Sequence, residues 1–436
     1  MNPGGGAGSG SARSMVFVSC GVTTAPLLRS LAARHTLVVP GADLAEQLRA
    51  HGLAAVGWEA LADPERVVSL PVAATNCAEA GRAALEQVAD DLFVFAGRRR
   101  VEAFLPAATR VVEEQLLEQM LVMEYGRSLA ASGRLAAVVV HEDVTPPVRG
   151  LLEAVRPFGV PSLHVPHGIY VKERLVGADP HGASHTTVIA AGGAAQRAWF
   201  AARGVAPERI VVTGNPAWDP LCGRPRSAYP PLALPSGRVV TFAASWVGRE
   251  TPHHELILRQ HARWTRAAFD AVALLRRRDP AVRLVVKHHP SAPPEVEAAV
   301  QATAAEAGVT IDLALRGEAA PVLAASDVLI ALPSTIVVES LLLGTPVIVP
   351  ELDYEGDAVL TTEGTGAAVA AAAAQVLDGW GRSAEFAARR ADFLARYNGP
   401  SDGQAVARVT GLIEELIART RQAAPPRLAI GAGRAA

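Results

Sequence analysis

Lys287-His288-His289-Pro290-Ser291 sets an ammonium and two imidazoles where a proline stops the strand-like run Val282–Val286. Such a group can neutralise the charge of a phosphate. Adjacent histidines could also ligate zinc, but no acidic residue or cysteine stands at ligand spacing, so no metal is expected. Further along, the apolar run Asp327–Ala331 is broken by Pro333-Ser334-Thr335, and Ile336–Leu343 is apolar with one acid, Glu339. Read as strand–loop–helix, the pattern delivers Ser334 and Thr335 to a helix N-terminus. There unsatisfied backbone N–H groups and the positive end of the helix dipole favour an anion. Glu339, about one turn further in, could reach the sugar of a bound nucleotide. A plain helix cap is the other reading of Ser334. Gly344-Thr345-Pro346 ends the helix, Val347–Val349 resumes as a strand, and the loop after it offers Glu351, Asp353 and Glu355 to sugar hydroxyls.

The first half carries a second set. Leu135–Val140 runs into His141-Glu142-Asp143, and Ser162–Val165 into Pro166-His167-Gly168-Ile169. In open α/β sheets ligands bind beyond the carboxyl ends of the strands, and both polar clusters fall there. A carboxylate at such a place can act as a general base, and a histidine beside a glycine can meet a phosphate or hydroxyl. Capping of the helix that opens at Pro146 is the competing reading of Glu142 and Asp143. Gly21, after the first strand, could admit a ligand close to the backbone, although without a G-x-G-x-x-G pattern it reads first as a turn glycine. Arg238–Ala243 ends in Ala244-Ser245, and Ile210–Thr213 runs into Gly214-Asn215-Pro216.

The elements that must position these residues alternate. Ser14–Cys20, a helix over Ala25–Arg34, Thr36–Val39 and a helix over Ala42–Ala50 open a doubly wound parallel sheet. Glu79–Ala96 and Val101–Ser132 read as helices flanking Arg98-Arg99-Arg100, either a solvated helix end or a contact for an anionic acceptor or membrane surface. Thr186–Ala190 and Ile210–Thr213 add strands with a helix, Ala194–Arg203, between them. The Pro-rich stretch 216–235 is the clearest boundary. Beyond it come a helix over His253–Arg278, strands at Val309–Leu313 and Pro346–Val349, and helices over Ala367–Leu377, Ser383–Tyr397 and Gly403–Arg419. The expected division is a disordered leader (1–14), an N-terminal Rossmann-like acceptor domain (15–215), a linker (216–235), a C-terminal Rossmann-like nucleotide-donor domain (236–400), a terminal helix (401–420) and a disordered tail (421–436).

At 436 residues the chain is too long for one ordinary core. Half the residues are hydrophobic, and 41 basic residues face 43 acidic ones, which excludes a dedicated nucleic-acid binder. Three scattered cysteines, Cys20, Cys77 and Cys222, form neither a disulfide framework nor a zinc site and suit a reducing cytoplasm. No apolar run approaches the ~20 residues of a membrane span, so membrane contact, at the inner face, would be peripheral. The opening residues lack the pattern of a signal peptide.

Lys287-His288-His289-Pro290 resembles the K-x-H-P motif of nucleotide-dependent transferases that build bacterial capsules, teichoic acids and sialylated glycans. Ser326-Asp327, Pro333-Ser334-Thr335, Glu339 and Gly344-Thr345-Pro346 together resemble the donor-binding segment of glycosyltransferases with the two-Rossmann GT-B fold. Pro166-His167-Gly168-Ile169 and Gly214-Asn215-Pro216 resemble turns of the same group, and Ser401-Asp402-Gly403-Gln404-Ala405 resembles a segment opening its last helix in capsule and glycerophosphate transferases. The resemblance implies two Rossmann-like domains facing a cleft, with no cofactor beyond the nucleotide-activated co-substrate. It implies that His289 contacts the donor phosphate or assists departure of the leaving group, that Ser334 and Thr335 hold the phosphates, and that Glu339 holds the ribose. Lys287, Pro290 and Ser245 complete the expected donor site, and Gly21, Gly168, Asn215, Glu351 and Asp353 the acceptor side. Bacterial sialyltransferases place a glycine after their acidic pair, where this chain has Val144. The expected activity is metal-independent transfer of a sugar from a nucleotide-activated donor to a hydroxyl of a glycan, lipid-linked or small-molecule acceptor, with Asp143 or His167 as base. A UDP-N-acetylhexosamine 2-epimerase, a CDP-glycerol-type glycerophosphotransferase and a non-catalytic nucleotide-binding protein are the alternatives.

Overall fold

The computed structural model describes residues 14–19, 25–92, 94–95, 98–99, 101–143, 145–169, 185–245, 254–332, 334–351, 354 and 357–423. The chain divides into two compact units. The first takes the described residues within Met1–His167, Pro180–Ala190 and Ala407–Ala436, and the second those within Gly168–Asp179 and Ala191–Val406.

The first unit begins with β1 (Met15–Val18), α1 (Ala25–Ala32), β2 (Thr36–Val39), α2 (Ala42–Ala50) and β3 (Ala55–Gly57). Two long helices follow, α3 (Pro64–Leu92) and α4 (Val101–Ala131), joined by a small antiparallel ribbon of β4 (Val94–Phe95) and β5 (Arg98–Arg99). β6 (Leu135–Val140), α5 (Pro146–Val155), β7 (Ser162–His164) and β8 (Val188–Ala191) complete it. The strands lie parallel in the order β3-β2-β1-β6-β7-β8. Both faces are covered, so the strands are almost wholly apolar runs such as LAAVVV. Alternate residues face opposite ways: Val16, Val18, Val139 and Leu163 pack with α1, while Phe17, Val138 and Val140 pack with Val122 and Leu129 of α4 and Leu151 of α5. Each such fully buried side chain contributes about 1.5–3 kcal/mol.

The second unit opens within β8 and runs through α6 (Ala194–Ala202), β9 (Ile210–Val212) and a short 3-10 turn, Pro216–Leu221. Its main sheet contains β10 (Val239–Ala243), β11 (Arg283–Lys287), β12 (Leu313–Leu315), β13 (Val328–Ala331), β14 (Val347–Pro350) and β15 (Val359–Thr362). The connecting helices are α7 (His254–Arg278), α8 (Pro294–Glu306), α9 (Ala320–Ala325), α10 (Ile336–Leu342), α11 (Gly366–Leu377) and α12 (Ala384–Tyr397). The strands are parallel in the order β12-β11-β10-β13-β14-β15. The chain therefore winds outward one way from β10 and then returns to wind the other way, which puts the topological switch between β10 and β13.

Three expectations give way. The helix expected to start at Glu79 starts at Pro64, where proline is pre-organised for a first turn. The β-branched Val67, Val68 and Val72 and the interior Pro71 mask it in the sequence, and packing against α4 overrides their propensity; Thr75 Oγ1 donates to Glu113 Oε1 at 2.9 Å. The same helix stops at Leu92, and Val94–Phe95 and Arg98–Arg99 pair instead of extending it. The last helix, expected as a separate terminal element over 401–420, is α13 (Ala405–Ala423). From Ala407 on it belongs to the first unit, where Val409, Ile413, Leu416 and Ile417 join the core beside Val16 and Leu27.

The start of α13 is capped from a distance in sequence: Asp219 accepts from Ala405 N at 3.0 Å and from Val406 N at 2.7 Å. Asp219→Ala orphans both donors and is expected to lower stability by about 0.5–2 kcal/mol, read as a fall in the urea midpoint at constant m.

Candidate functional site

In the second unit the C-terminal ends of β11, β10 and β13 bring together Lys287, Ser245 and the Ser334-Thr335 turn. Along β11 the pleat sends neighbouring side chains to opposite faces. Lys287 is buried, with its ammonium donating to the His288 carbonyl at 2.8 Å. Burial lowers its pKa and the negative field of Glu339 opposes that fall. Glu339 reaches the same place from α10. Burial raises its pKa, while a hydrogen bond from the Trp218 side chain and the charge of Lys287 hold it down. Trp218 is itself buried in the 3-10 turn after Asn215. A lysine and an indole thus fix the Glu339 carboxyl.

His288 faces away, buried, with its Nδ1 4.0 Å from Glu297 on α8. His289 is half-buried, and Ser291 N donates to its Nδ1 at 3.2 Å. A backbone N–H can only donate, so the ring proton of neutral His289 resides on Nε2, which is left as a donor. Burial, followed by the charge of Lys287, lowers the His289 pKa below its usual 6.5. A neutral donor beside an ammonium suits an oxyanion such as a leaving phosphate.

Ser334 and Thr335 are half-exposed. Thr335 precedes α10 and makes no side-chain cap bond, and Ser334 Oγ lies a long 3.5 Å from Ile336 N. The helix is short, and Val337 N and Val338 N already donate to the Ser334 and Thr335 carbonyls, so the two hydroxyls, and not these N–H groups, are left to meet an anion. Tyr354, buried, bonds the Ser334 backbone with its phenol, whose pKa burial raises. Gly168 belongs here too: a Cβ on it would stand 3.1 Å from Thr335 Cγ2, and its carbonyl accepts from Gln196 Nε2 at 3.0 Å. Ser245 borders a largely apolar cavity of about 280 Å³ with Leu258, His261, Val296 and Leu332. Pro290 is exposed at the end of β11.

In the first unit Ser19, His141 and His167 occupy the carboxyl ends of β1, β6 and β7, neighbours across the switch between β1 and β6. His167 is exposed; its Nδ1 is 3.4 Å from the His141 carbonyl, and the two rings meet edge to face at 5.5 Å. Ser19 Oγ is 3.4 Å from His141 Nδ1. Burial, then the neighbouring His167, lowers the His141 pKa. A carbonyl can only accept, so His167 Nδ1 carries the proton and Nε2 presents a lone pair.

Other expectations change. Asp143 is 2% exposed, and its Oδ2 accepts from His185 N at 2.8 Å and Thr186 N at 3.3 Å, with Oδ1 3.7 Å from His164 Nδ1. It ties strand ends together instead of standing open to an acceptor hydroxyl, whereas His167 is exposed. Glu142 accepts from Thr145 N at 3.1 Å and Thr145 Oγ1 at 2.5 Å, which is the capping reading. Asn215 is buried, caps its own turn through Ala217 N at 3.0 Å and donates from its backbone to Asn398 Oδ1 at 2.9 Å. Glu351 has φ 60 and is engaged by Arg263 and by Trp264 Nε1 at 3.1 Å, so it is not a free acid for sugar hydroxyls. Gly21, Asp353 and Glu355 lie outside the described residues. Trp218, Tyr354 and Gln196 were not expected, because only the folded chain sets them beside the motifs; His141 was expected only as part of the polar cluster that ends its strand.

Two histidines make the fold acid-sensitive. Burial lowers both His164 and His261 to about 4, against 6.5 in the unfolded chain. Between those values the unfolded state binds more protons, so stability present above pH 6.5 is lost as pH falls toward 4. Thermal midpoints should drop through that window, and less steeply in His261→Gln.

Residues 172–415 match the family model described as CDP-glycerol:poly(glycerophosphate) glycerophosphotransferase. No curated protein matches the chain. Among solved structures, a protein assigned as a UDP-N-acetylglucosamine 2-epimerase from Listeria monocytogenes is similar at TM-score 0.57 and 16% identity, over 94% of this chain and 98% of that one. The UDP-GlcNAc 2-epimerase from Neisseria meningitidis, bound to UDP-GlcNAc, gives 0.55 and 13%, over 92% and 99%. The wall teichoic acid polymerase TagF gives 0.49 and 12%, over 94% and 89%. The epimerase likenesses establish a fold of two Rossmann-like units, and nothing further.

Proposed function

The chain belongs to the CDP-glycerol:poly(glycerophosphate) glycerophosphotransferase family, and on that premise we propose that it transfers a polyol phosphate from a CDP-activated donor to an acceptor hydroxyl. It is a transferase acting on a nucleotide-activated donor. The observation that carries the reading is that Lys287, His289, Ser334 and Thr335 all lie at the carboxyl ends of β11 and β13, the two strands that flank β10 in the second sheet. Those groups suit the phosphates of the donor and Glu339 its ribose. In the transfer, the acceptor oxygen forms a bond to the distal phosphorus and the anhydride P–O bond breaks. CMP leaves with its new charge against Lys287 and the His289 Nε2–H, and the hydroxyl proton goes to a general base, for which His167 Nε2 of the first unit is the candidate.

Transfer of a sugar is the second reading, favoured by the likeness of the Ser334–Glu339 segment to glycosyltransferase donor sites. There the new bond forms at carbon and a nucleoside diphosphate leaves. No helix among the described residues is long and apolar enough to cross a membrane. The exposed free thiol of Cys77 accords with a reducing compartment, and we place the protein in the cytoplasm.

The test is thermal stabilisation by CMP, CDP, CDP-glycerol, UDP and UDP-sugars, with and without EDTA, followed by product analysis. A native-state ligand at 100 times its Kd adds about 2.7 kcal/mol. Stabilisation by cytidine nucleotides and release of CMP supports polyol-phosphate transfer; release of a nucleoside diphosphate from a sugar donor selects the second reading. No response to any nucleotide removes both.

A further inference from the structure

We propose that the amino-terminal edge of the first sheet, opposite the catalytic edge, carries a separate site for a phosphate-bearing polyol chain. A cavity of about 600 Å³ lies there, lined by Ser14, Arg134, Phe158, Ile417, Thr420 and Arg421 among others, the size of an ordinary ligand pocket. Its position is set by strand starts: Ser14 precedes β1, Leu135 opens β6 and Pro161 precedes β7, with α13 as the remaining wall.

Its chemistry is one-sided. Among the described residues no aspartate or glutamate lines the cavity, and neither Arg134 nor Arg421 has an acidic partner. Guanidinium forks without partners match phosphate oxygens. Ser14 adds a second requirement. Its Oγ is 2.8 Å from Nδ1 of His35, which is 5% exposed, and the other ring nitrogen, Nε2, is 3.0 Å from Glu414 Oε1 on α13. A carboxylate only accepts, so in the neutral imidazole Nε2 holds the proton, Nδ1 accepts, and the Ser14 hydrogen is committed to His35. The Ser14 oxygen then faces the cavity as an acceptor, which an anion alone cannot satisfy and a ligand hydroxyl can. Phe158, 48% exposed at the rim, supplies an apolar surface for a carbon backbone. Phosphates for the arginines together with hydroxyls for Ser14 describe a glycerophosphate-type chain. This identification of the ligand rests on the proposed function. The site would hold a growing acceptor away from the reacting end and make transfer prefer longer acceptors.

The experiment uses the full chain and three probes, inorganic phosphate, glycerol 3-phosphate and a short poly(glycerophosphate) oligomer, with binding measured by calorimetry at low and high salt. The oligomer is expected to bind most tightly and to weaken as salt rises. Arg134→Glu and Arg421→Glu should each lose at least tenfold in oligomer affinity, with unchanged thermal midpoints and unchanged turnover of a single-unit acceptor. Ser14→Ala should weaken both polyol phosphates and leave inorganic phosphate as it was. Equal binding of the oligomer by wild type and both arginine variants overturns the site, and equal binding of phosphate and glycerol 3-phosphate overturns its polyol half. If no donor is turned over yet arginine-dependent oligomer binding persists, the transferase reading fails and this site stands.

Discussion

His167→Ala is expected to lower turnover by about 10²- to 10⁴-fold, the range for loss of a general base, while nucleotide binding and thermal midpoint stay at wild-type values. The argument is one of tautomer and access. His167 is exposed at the end of β7, and its Nδ1 sits against a carbonyl that can only accept, so Nε2 is the basic nitrogen and it points away from the backbone that orients the ring. The two carboxylates that follow β6 are both engaged. Asp143 is closed in by two backbone donors and Glu142 by Thr145. His141, edge to face with His167, positions the ring; His141→Phe keeps that edge contact and should cost far less than loss of His167 itself. Single-turnover rates against bound donor separate chemistry from binding. A His167→Ala protein that transfers at the wild-type rate would end the assignment of the base.

The parallel sheets were legible because strands buried on both faces read as short apolar runs, and proline or glycine marks where each stops. The same rule picked out the candidate residues: Lys287, His289, Ser334 and His167 all follow such a run, and all lie at carboxyl edges in the fold. What the rule cannot see is side-chain direction. Asp143 and His167 sit at equivalent places in sequence, yet one turns inward to the N–H groups of His185 and Thr186 and the other outward. Nor can it see partners brought from afar. Trp218 lies in a stretch that composition marks as linker, and it reaches Glu339 only because the Asn215 turn aims it there. The unit that α13 joins is hidden for a related reason: its apolar face is plain in the sequence, but the strand it covers, β1, is at the other end of the chain.

His289→Ala is the complementary loss, expected to cost about 10²- to 10³-fold in turnover, as removal of one preorganised donor to a developing oxyanion does. Ser291 N fixes the ring in the tautomer opposite to that of His167, so that one histidine takes a proton while the other offers one, each set by a backbone group of fixed polarity. The pH dependence separates this from a structural role. Because burial and Lys287 lower its pKa, His289 is neutral through pH 7 and gains a charge only below 6.5. Protonation adds a positive charge beside bound phosphate, so affinity for CDP-glycerol, whose diphosphate diester has no group titrating near 6.5, should tighten as pH falls below 6.5. In His289→Gln, which keeps a donor and cannot titrate, that acid-side tightening disappears, while the turnover loss is smaller than in His289→Ala. An affinity profile unchanged by the glutamine substitution would place the titrating group elsewhere and leave Lys287 as the main counter-charge to the leaving phosphate.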